Sequence, residues 1–498
     1  NAAVGYDGTF GRHVVSASAG ILYNIYKTDF SQNGAAGKMV EYRHMTVNGA
    51  VNYAYDDRYV ATFSFAADGS DNYRPGNRWG FYPSLGLGWI VSRERFLRDS
   101  RTVDLLKLRA SVGKNGWDPM GEMRYLWEGY YTGRGGLNTG NSEHTWHGGT
   151  ALSYLPNPGI FAEKSLKYDA GIDLRLWNRL SLNVDLFLEK RSGIVTQDWM
   201  IPGASGVDNP PYRNIGRMTN KGFEVQLSWA DRIGDFNYAL TGMASYNSNK
   251  VDYMAEVVTV PTAARTGRRL DALFGYVADG FYDWDDFDVG GELREGLPKP
   301  TFGAVQPGDI KYKNLNGDTV IDENDQTAIG DSYLPKLQYS FSLAASYKGF
   351  DLFALFQGAA GRDVNLLDAP LQNIAFRDNG NVYGIAEGRW AYYPEQGIDT
   401  RATATYPRLS LQDNSNNYRN STLWKRSGDF LKLRNVELGY TFAQPSLSKA
   451  GISKIRIYLS GVNLLTVSKL MRDYDIDPEI LSGHPALKSY NLGLTVTF

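Results

Sequence analysis

The sequence predicts an all-β protein, a transmembrane antiparallel up-and-down β-barrel. Three observations carry this expectation. Stretch after stretch alternates apolar and polar side chains with period two, so each extended segment offers one face to oil and one to water. The connections between these stretches alternate long and short, as outer loops and inner turns do in such barrels. The last stretch, 488–498 (KSYNLGLTVTF), sets Tyr490, Leu492, Leu494, Val496 and Phe498 against Asn491, Gly493, Thr495 and Thr497. It ends on an aromatic, which suits a membrane interface.

Composition agrees. The chain has 498 residues, 42% of them hydrophobic, with a mean hydropathy of −0.38. A barrel reads as soluble on average because its lumen-facing residues are polar. No apolar run reaches the roughly 18 residues that a membrane helix needs. Aromatics make up 13%, with 33 Tyr and 11 Trp, enough for interfacial girdles or sugar-stacking surfaces. A net charge of −2 argues against nucleic acid as a partner. The absence of Cys excludes disulfides, thiolate metal sites and Cys nucleophiles. Asn1-Ala2-Ala3-Val4 has no Met, basic region or apolar region, so it does not read as a precursor's N-terminus.

Taken in order, the first strand falls at 12–26, with Val15, Ala17, Ala19, Ile21 and Tyr23 on one face, followed by a polar link at 27–38. The second, at 40–55, opposes Val47, Val51, Tyr53 and Tyr55 to Thr46, Asn48 and Asn52. Asp56-Asp57 is a tight turn into the third, 58–67. After Asp68-Gly69-Ser70 and Arg74-Pro75-Gly76-Asn77 comes a Gly-rich fourth strand at 78–91. Residues 92–104 read as a short helical turn. The fifth strand, 105–113, alternates Leu106, Leu108, Ala110 and Val112 with Lys107, Arg109 and Ser111. The sixth, 164–176, sets Tyr168, Ala170, Ile172 and Leu174 against Asp169, Asp173 and Arg175. The seventh begins at Leu180 and sets Leu182, Val184, Leu186 and Leu188 against Asn183, Asp185 and Glu189.

The eighth strand, 217–229, and the ninth, 236–249, precede a very long insertion. The tenth, 336–347, turns at Lys348-Gly349 into the eleventh, 350–358. The twelfth, 429–442, slips phase between Leu433 and Val436, the signature of a bulge. A short link at 444–451, the thirteenth strand at 454–462 and the final strand complete about fourteen strands. Long outer loops are expected at 114–162, 250–331, 361–427 and 464–486. A soluble sandwich or propeller gives no reason for this parity of long and short.

Local motifs then point to a family. Asp57-Arg58-Tyr59 with Asp68-Gly69-Ser70, and Asn77-Arg78-Trp79-Gly80 with Pro83-Ser84, resemble the SusC/RagA group of TonB-dependent outer-membrane transporters. So do Pro307-Gly308-Asp309-Ile310-Lys311-Tyr312, Ser346-Tyr347-Lys348-Gly349-Phe350-Asp351 and Gln357-Gly358. The end of the chain agrees, in 433–440, in Gly461-Val462-Asn463-Leu464-Leu465 and in Lys488-Ser489-Tyr490-Asn491. The resemblance implies a barrel of about 22 strands around a plug, of which this chain is the C-terminal portion. It further implies a TonB box before the plug, a SusD-like surface lipoprotein as lid, and an outer-membrane location in a Gram-negative bacterium. An unclosed membrane sheet exposes unpaired backbone to hydrocarbon. The first strand is therefore expected to pair with an N-terminal plug-and-barrel part of the same protein.

The sharpest local motif is 314–325. Asn314, Asn316, Asp318, Asp322 and Asp325 hold positions 1, 3, 5, 9 and 12 of an EF-hand or dockerin-like loop, with the carbonyl of Val320 at position 7. That spacing suits Ca²⁺, which takes about six to eight oxygen ligands. Thr319 replaces the usual Gly, Asn314 the usual Asp and Asp325 the longer Glu; the plainer reading is an Asx-rich turn. His144 and His147 form an H-x-x-H pair with no third ligand in sequence. No nucleophile elbow, phosphate loop or dinucleotide fingerprint occurs, so an enzyme and an organic cofactor are not expected. Trp117, Trp127, Tyr130, Tyr131 and Trp146 in one long loop, and Trp390, Tyr392, Tyr393 and Tyr418 in another, are candidates to stack on sugars or meet a partner. Loop-to-loop packing is the plainer alternative for them. The expected function is SusC-like, TonB-dependent uptake of oligosaccharides or oligopeptides. The alternative is a passive porin or structural barrel, with a soluble all-β enzyme third.

Overall fold

The computed structural model describes every residue except 31–37, 119–124, 130, 140–144, 153, 203, 205–208, 259, 370–372, 378–379, 412 and 443–450. The chain forms two compact units, Asn1–Phe223 with Asn249–Val257, and Glu224–Ser248 with Val258–Phe498.

The first unit is built on a sheet of β1 (Ala2–Phe10), β2 (His13–Phe30), β3 (Lys38–Tyr55), β4 (Tyr59–Ser70), β5 (Trp79–Ile90) and β6 (Val103–Trp117). A separate hairpin, β7 (Tyr131–Thr139) with β8 (Thr145–Leu152), interrupts the order. The sheet resumes with β9 (Glu163–Leu176), β10 (Leu180–Gln197) and the first half of β11 (Tyr212–Ile233), whose second half belongs to the other unit. Register explains why the alternation matters. Leu108 lies opposite Ile172, which lies opposite Val184, and Val112–Tyr168–Leu188 repeats the pattern. One row over, Lys107 faces Asp173 and Arg109 lies beside Asp185. Opposed residues of an antiparallel pair point to the same side. The sheet therefore has an oily face and a charged one.

The oily face is open. Ile172 is 42%, Leu186 57% and Phe81 55% exposed, and among the described residues no second layer of protein covers them. An apolar surface this continuous marks contact with lipid or a partner. On the charged face Arg109 donates to Asp173 (3.3 Å) and to both oxygens of Asp185, with Asp169 3.7 Å away. Arg109 bridges three strands in this way.

In the second unit β12 (Phe236–Tyr253), β19 (Leu337–Tyr347), β20 (Phe350–Ala360), β25 (Phe430–Phe442), β26 (Lys454–Ser468) and β27 (Ser489–Thr497) pair in that order, antiparallel throughout. The same two faces recur. Phe341 stacks on Phe356 with ring centres 4.5 Å apart. Leu438, Leu459 and Leu494 stay more than half exposed on the oily side. On the other, Arg456 donates to Glu437 at 2.5 Å and to Asp351 at 3.0 Å. Lys348 and Gly349 both take positive φ, +46° and +90°, as a two-residue hairpin turn between right-twisted strands requires.

The buried core of this unit lies in its insertions rather than in the sheet. Between β12 and β19 the chain forms short strands, β13 (Leu273–Gly275), β14 (Ala278–Phe281), β15 (Lys299–Pro300), β16 (Ile310–Tyr312), β17 (Val320–Ile321) and β18 (Thr327–Gly330). Between β20 and β25 come β21 (Asp363–Asn365), β22 (Tyr392–Tyr393), β23 (Ile398–Asp399) and β24 (Lys425–Ser427). After β26 comes a short helix, α1 (Lys469–Tyr474). Tyr276, Ile310, Tyr312, Ile321, Val364, Leu366, Tyr406, Trp424 and Leu470 pack together from all three insertions. Asp309, fully buried, joins two of them. It accepts from Arg408 (2.7 Å), Asn414 (2.9 Å) and Asn417 (2.9 Å). Three loops thus fold into one solid body.

The structure departs from the sequence expectation in places. Short strands form within the expected loops, and among the described residues the long sheet strands outnumber the sequence reading by one, because β1 precedes the expected first strand. Gly5 and Gly8 dilute its alternation, and the Gly11–Arg12 turn hides its end. β11 reaches from Tyr212 to Ile233, well beyond 217–229. Helical structure at the expected turn is a single 3₁₀ turn, Val91–Arg93. The phase slip in β25 is a register shift between Leu433 and Asn435, as the alternation implied. The 444–450 part of the following turn lies outside the described residues.

Candidate functional site

Both sites singled out in the sequence can be built up from their residues. The 314–325 loop is a chain of side-chain turns. Asn314 Oδ1 accepts from Gly317 N (2.6 Å), Asn316 Oδ1 from Asp318 N (3.0 Å), and Asp318 Oδ1 from Val320 N (2.8 Å). Asp322 caps the 3₁₀ turn Glu323–Asp325 through Asn324 N (2.8 Å). Asp325 is fully buried; its oxygens accept from Leu315 N (2.7 Å) and Asp322 N (2.9 Å). Position 12 is therefore folded back onto the backbone of position 2. The donors, carboxylates and amide oxygens, are of the hard type that Ca²⁺ takes. Each of these oxygens also finds an N–H within the loop, so the turn holds its own shape. Among the described residues no three His, Cys, Asp or Glu gather in metal-binding geometry. His144 lies outside the described residues, and His147 Nε2 is 2.8 Å from Thr139 Oγ1.

The aromatic candidates divide. Trp390 is packing: it is 8% exposed and sits under Gly308, where an added Cβ would come within 2.6 Å of its ring. Tyr418 packs on the loop core beside Trp424. Tyr392 lies under the Arg401 guanidinium at 3.9 Å. Trp127 packs on Tyr73, Leu126 and Ile160. Tyr130 lies outside the described residues. Tyr131, Trp146 and Tyr393 remain exposed, the first two on the β7–β8 hairpin.

Trp117 is the remaining one, and the structure brings it together with residues the sequence reading did not connect. It ends β6, opposite Glu163, on the charged face of the first unit. Next to it a cavity of about 250 Å³ opens between Asn115, Trp117, Ser165, Lys167, Glu189 and Arg191, with Gly116 and Lys164 completing the wall. Register sets the rows: Asn115–Ser165–Arg191, then Gly113–Lys167–Glu189. Arg191 is anchored on buried Glu163 at 3.2 Å, and Glu163 also accepts from Val195 N at 3.0 Å. Lys167 stands 3.9 Å from Glu189, too far for a hydrogen bond. Glu189 stood out in the sequence only as one polar residue of a strand; the cavity needs the pairing of three strands to become visible.

These faces and loops can be set beside known proteins. Residues 2–464 match the family model described as TonB dependent receptor-like, beta-barrel. The chain belongs to that family. Members sit in the outer membrane of Gram-negative bacteria, and the open oily face of the sheet is its lipid-facing surface. Among curated relatives, the TonB-dependent receptor P26 of Formosa agariphila is 29% identical over 95% of this chain and 48% of its own length. The TonB-dependent receptor P3 of the same organism is 26% identical over 99% of the chain and 51% of its own. The TonB-dependent receptor SusC of Bacteroides thetaiotaomicron is 26% identical over 90% and 43%. The chain thus spans about half the length of the curated relatives it matches. Among solved structures, that of the RagAB peptide transporter superposes with a TM-score of 0.72 at 21% identity, over all of this chain and 55% of that one. The likeness to SusC agrees with the SusC/RagA resemblance that its motifs carry. The family is one of receptors and transporters.

Proposed function

We propose that the chain forms part of the pore wall of a SusC-like nutrient importer, which takes up oligosaccharides or oligopeptides with energy from TonB. The observation that carries this reading is the charged inner face backed by an open oily one, in a chain of this family. Arg109 with its aspartates, and Arg456 with Asp351 and Glu437, make a wall suited to a polar solute in water. SusC among the relatives and a peptide transporter among the structures support import in general. A SusD-like surface lipoprotein is the proposed partner, resting on the solid body formed by the three insertions. TonB would act through the plug of the same protein.

The test is uptake by the whole receptor in a host lacking its own copy, with labelled oligosaccharides and oligopeptides offered in turn. Uptake should collapse when TonB is deleted. Uptake that continues without TonB favours the passive porin.

Within this reading the 314–325 loop takes Ca²⁺ as a brace, held by Asn314, Asn316, Asp318, Asp322, Asp325 and the Val320 carbonyl. The donor spacing supports it. Calorimetry of the whole receptor with Ca²⁺ after chelation should show binding that Asp318→Asn weakens. No heat would leave the loop as a self-capped turn.

A further inference from the structure

The oily face of the first unit changes character at its outer edge. Long loops lie outward and short turns inward, so β6 and β10 climb towards the outside while β9 and β11 descend. On β10 the oily parity reads Leu180, Leu182, Val184, Leu186, Leu188 and then Lys190. At about 3.4 Å per residue and a tilt of about 40°, the climb from Leu180 to Lys190 is roughly 25 Å, the height of a barrel's apolar band. Lys190 therefore stands where hydrocarbon gives way to the outer headgroups. Its neighbours do the same. Lys190 lies opposite Leu166 on β9, and Leu166 lies opposite Lys114 on β6. Lys164 is one step further out on β9, on the face of Leu166. The three lysines thus surround Leu166, their Cβ atoms within about 7 Å of its own. On β11, which borders β10, Lys221 follows Phe223 outward on the oily parity.

The protein supplies no counter-charge here. The acids of the same strands, Asp169, Asp173, Asp185 and Glu189, point to the other face, where Arg109 and Lys167 meet them. Among the described residues none of the four lysines forms an ion pair. Lys164 rests on the Phe161 ring at 4.4 Å. Other outer ends of the oily face finish differently. Lys27 and Arg43 both meet Glu41 at 2.9 Å. β5 begins with Trp79 and Phe81. In the second unit β25 and β26 carry Leu431, Leu433, Leu465 and Val467 there. A lysine at this level lays its stem along the apolar wall and sends its ammonium outward. Four ammoniums at one level without a carboxylate repel one another unless an anion joins them. Outside the wall at that height the neighbour is a lipid headgroup, and basic clusters at membrane surfaces take lipid phosphates.

We propose that Lys114, Lys164, Lys190 and Lys221 hold the phosphate of an outer-leaflet glycolipid of the lipid A type. The ammoniums make charge-assisted hydrogen bonds to phosphate oxygens, and the acyl chains run down the wall over Leu166, Tyr168, Leu186 and Leu188. The site is on the membrane side and does not depend on what the pore carries.

The test uses the whole receptor, purified in detergent and stripped of lipid. Native mass spectrometry reads occupancy with bisphosphorylated lipid A, its dephosphorylated form and phosphatidylglycerol, and displacement of lipid A by inorganic phosphate. Lipid A should bind, with the dephosphorylated form at least tenfold weaker and phosphatidylglycerol at least threefold weaker. Lys114→Gln, Lys164→Gln and Lys190→Gln together should weaken lipid A by tenfold or more. Arginine at the same three positions should keep the binding, which separates lost charge from a damaged fold. Lys27→Gln, which changes a cation already paired on the same face, should leave lipid A unaffected. Unchanged affinity in the triple Gln variant, loss in the Arg variant as well, or equal binding of the dephosphorylated lipid would overturn the proposal. So would equal binding of phosphatidylglycerol, the mark of a general anionic-lipid belt, or displacement of lipid A by an equal concentration of inorganic phosphate, the mark of a free-anion site. Uptake that persists without TonB, with lipid A binding intact, would sink the importer and leave this site standing.

Discussion

Lys432 shows what one buried charge does in this wall. It is 1% exposed, and its ammonium donates to both oxygens of Asp477 (2.7 and 3.0 Å) and to Glu479 (2.8 Å). Arg434, two residues on and on the same face, also donates to Glu479 and reaches Gln357 at 2.9 Å. The pair of cations pins the loop after α1 to β25. Removing one partner of a buried pair leaves the other charge uncompensated and costs about 3–5 kcal/mol. Lys432→Ala should lower the denaturation midpoint of the whole receptor accordingly. Burial works to raise the Glu479 carboxyl, but hydrogen bonds from Arg434 and Lys432 outweigh it and hold it below its ordinary 4.5. The sign follows for a depressed acid. Its stabilisation is complete above the ordinary value and is lost as the pH falls through the lowered one. The loop should therefore loosen below about pH 4.5 in the parent protein, read by proteolysis near 475–488, and already be loose at neutral pH in Lys432→Ala. The place of Lys432 on the polar side of its strand was readable from alternation. Its partners were not, because Asp477 and Glu479 lie in a loop whose position no periodicity encodes.

At the scale of elements, strands and insertions were legible to different degrees for one reason. A strand buries or exposes by parity, so Leu180 to Leu188 announces its two faces in consecutive residues. The body of the insertions draws Tyr276, Trp424 and Leu470 from three separate segments, and nothing local links them. Buried Trp390 and exposed Trp117 look alike in sequence for the same reason. The register that gathers Asn115, Ser165 and Arg191 is likewise a property of three strands at once. Trp424, 1% exposed, donates its indole N–H to Asn417 O at 2.7 Å and meets Tyr406 edge-on. Trp424→Ala should cost the body about 3–5 kcal/mol. Limited proteolysis should then cut within 254–336 and 361–429 while β19, β20 and β25 stay protected. Cleavage confined to the strands would show that the body is not an independent source of stability.

For the whole molecule, the two faces make opposite demands on a substitution. Leu186→Arg, on the oily side, should destabilise the receptor in lipid by about 2–4 kcal/mol if it sits near the bilayer midplane. Asn183→Arg, opposite Asp173 on the charged side, should cost far less. Heat-modified migration of the two variants after reconstitution compares them directly; equal loss would contradict the assignment of faces. The insertions carry a further consequence. Asp309 depends at once on Arg408, Asn414 and Asn417 across two of them, so exchanging one insertion with a relative's would strand a carboxylate in the dark. Diversification at the outer surface should then proceed by wholesale replacement of the three segments as a cassette, or by repainting its outermost side chains, and seldom by trading a single loop.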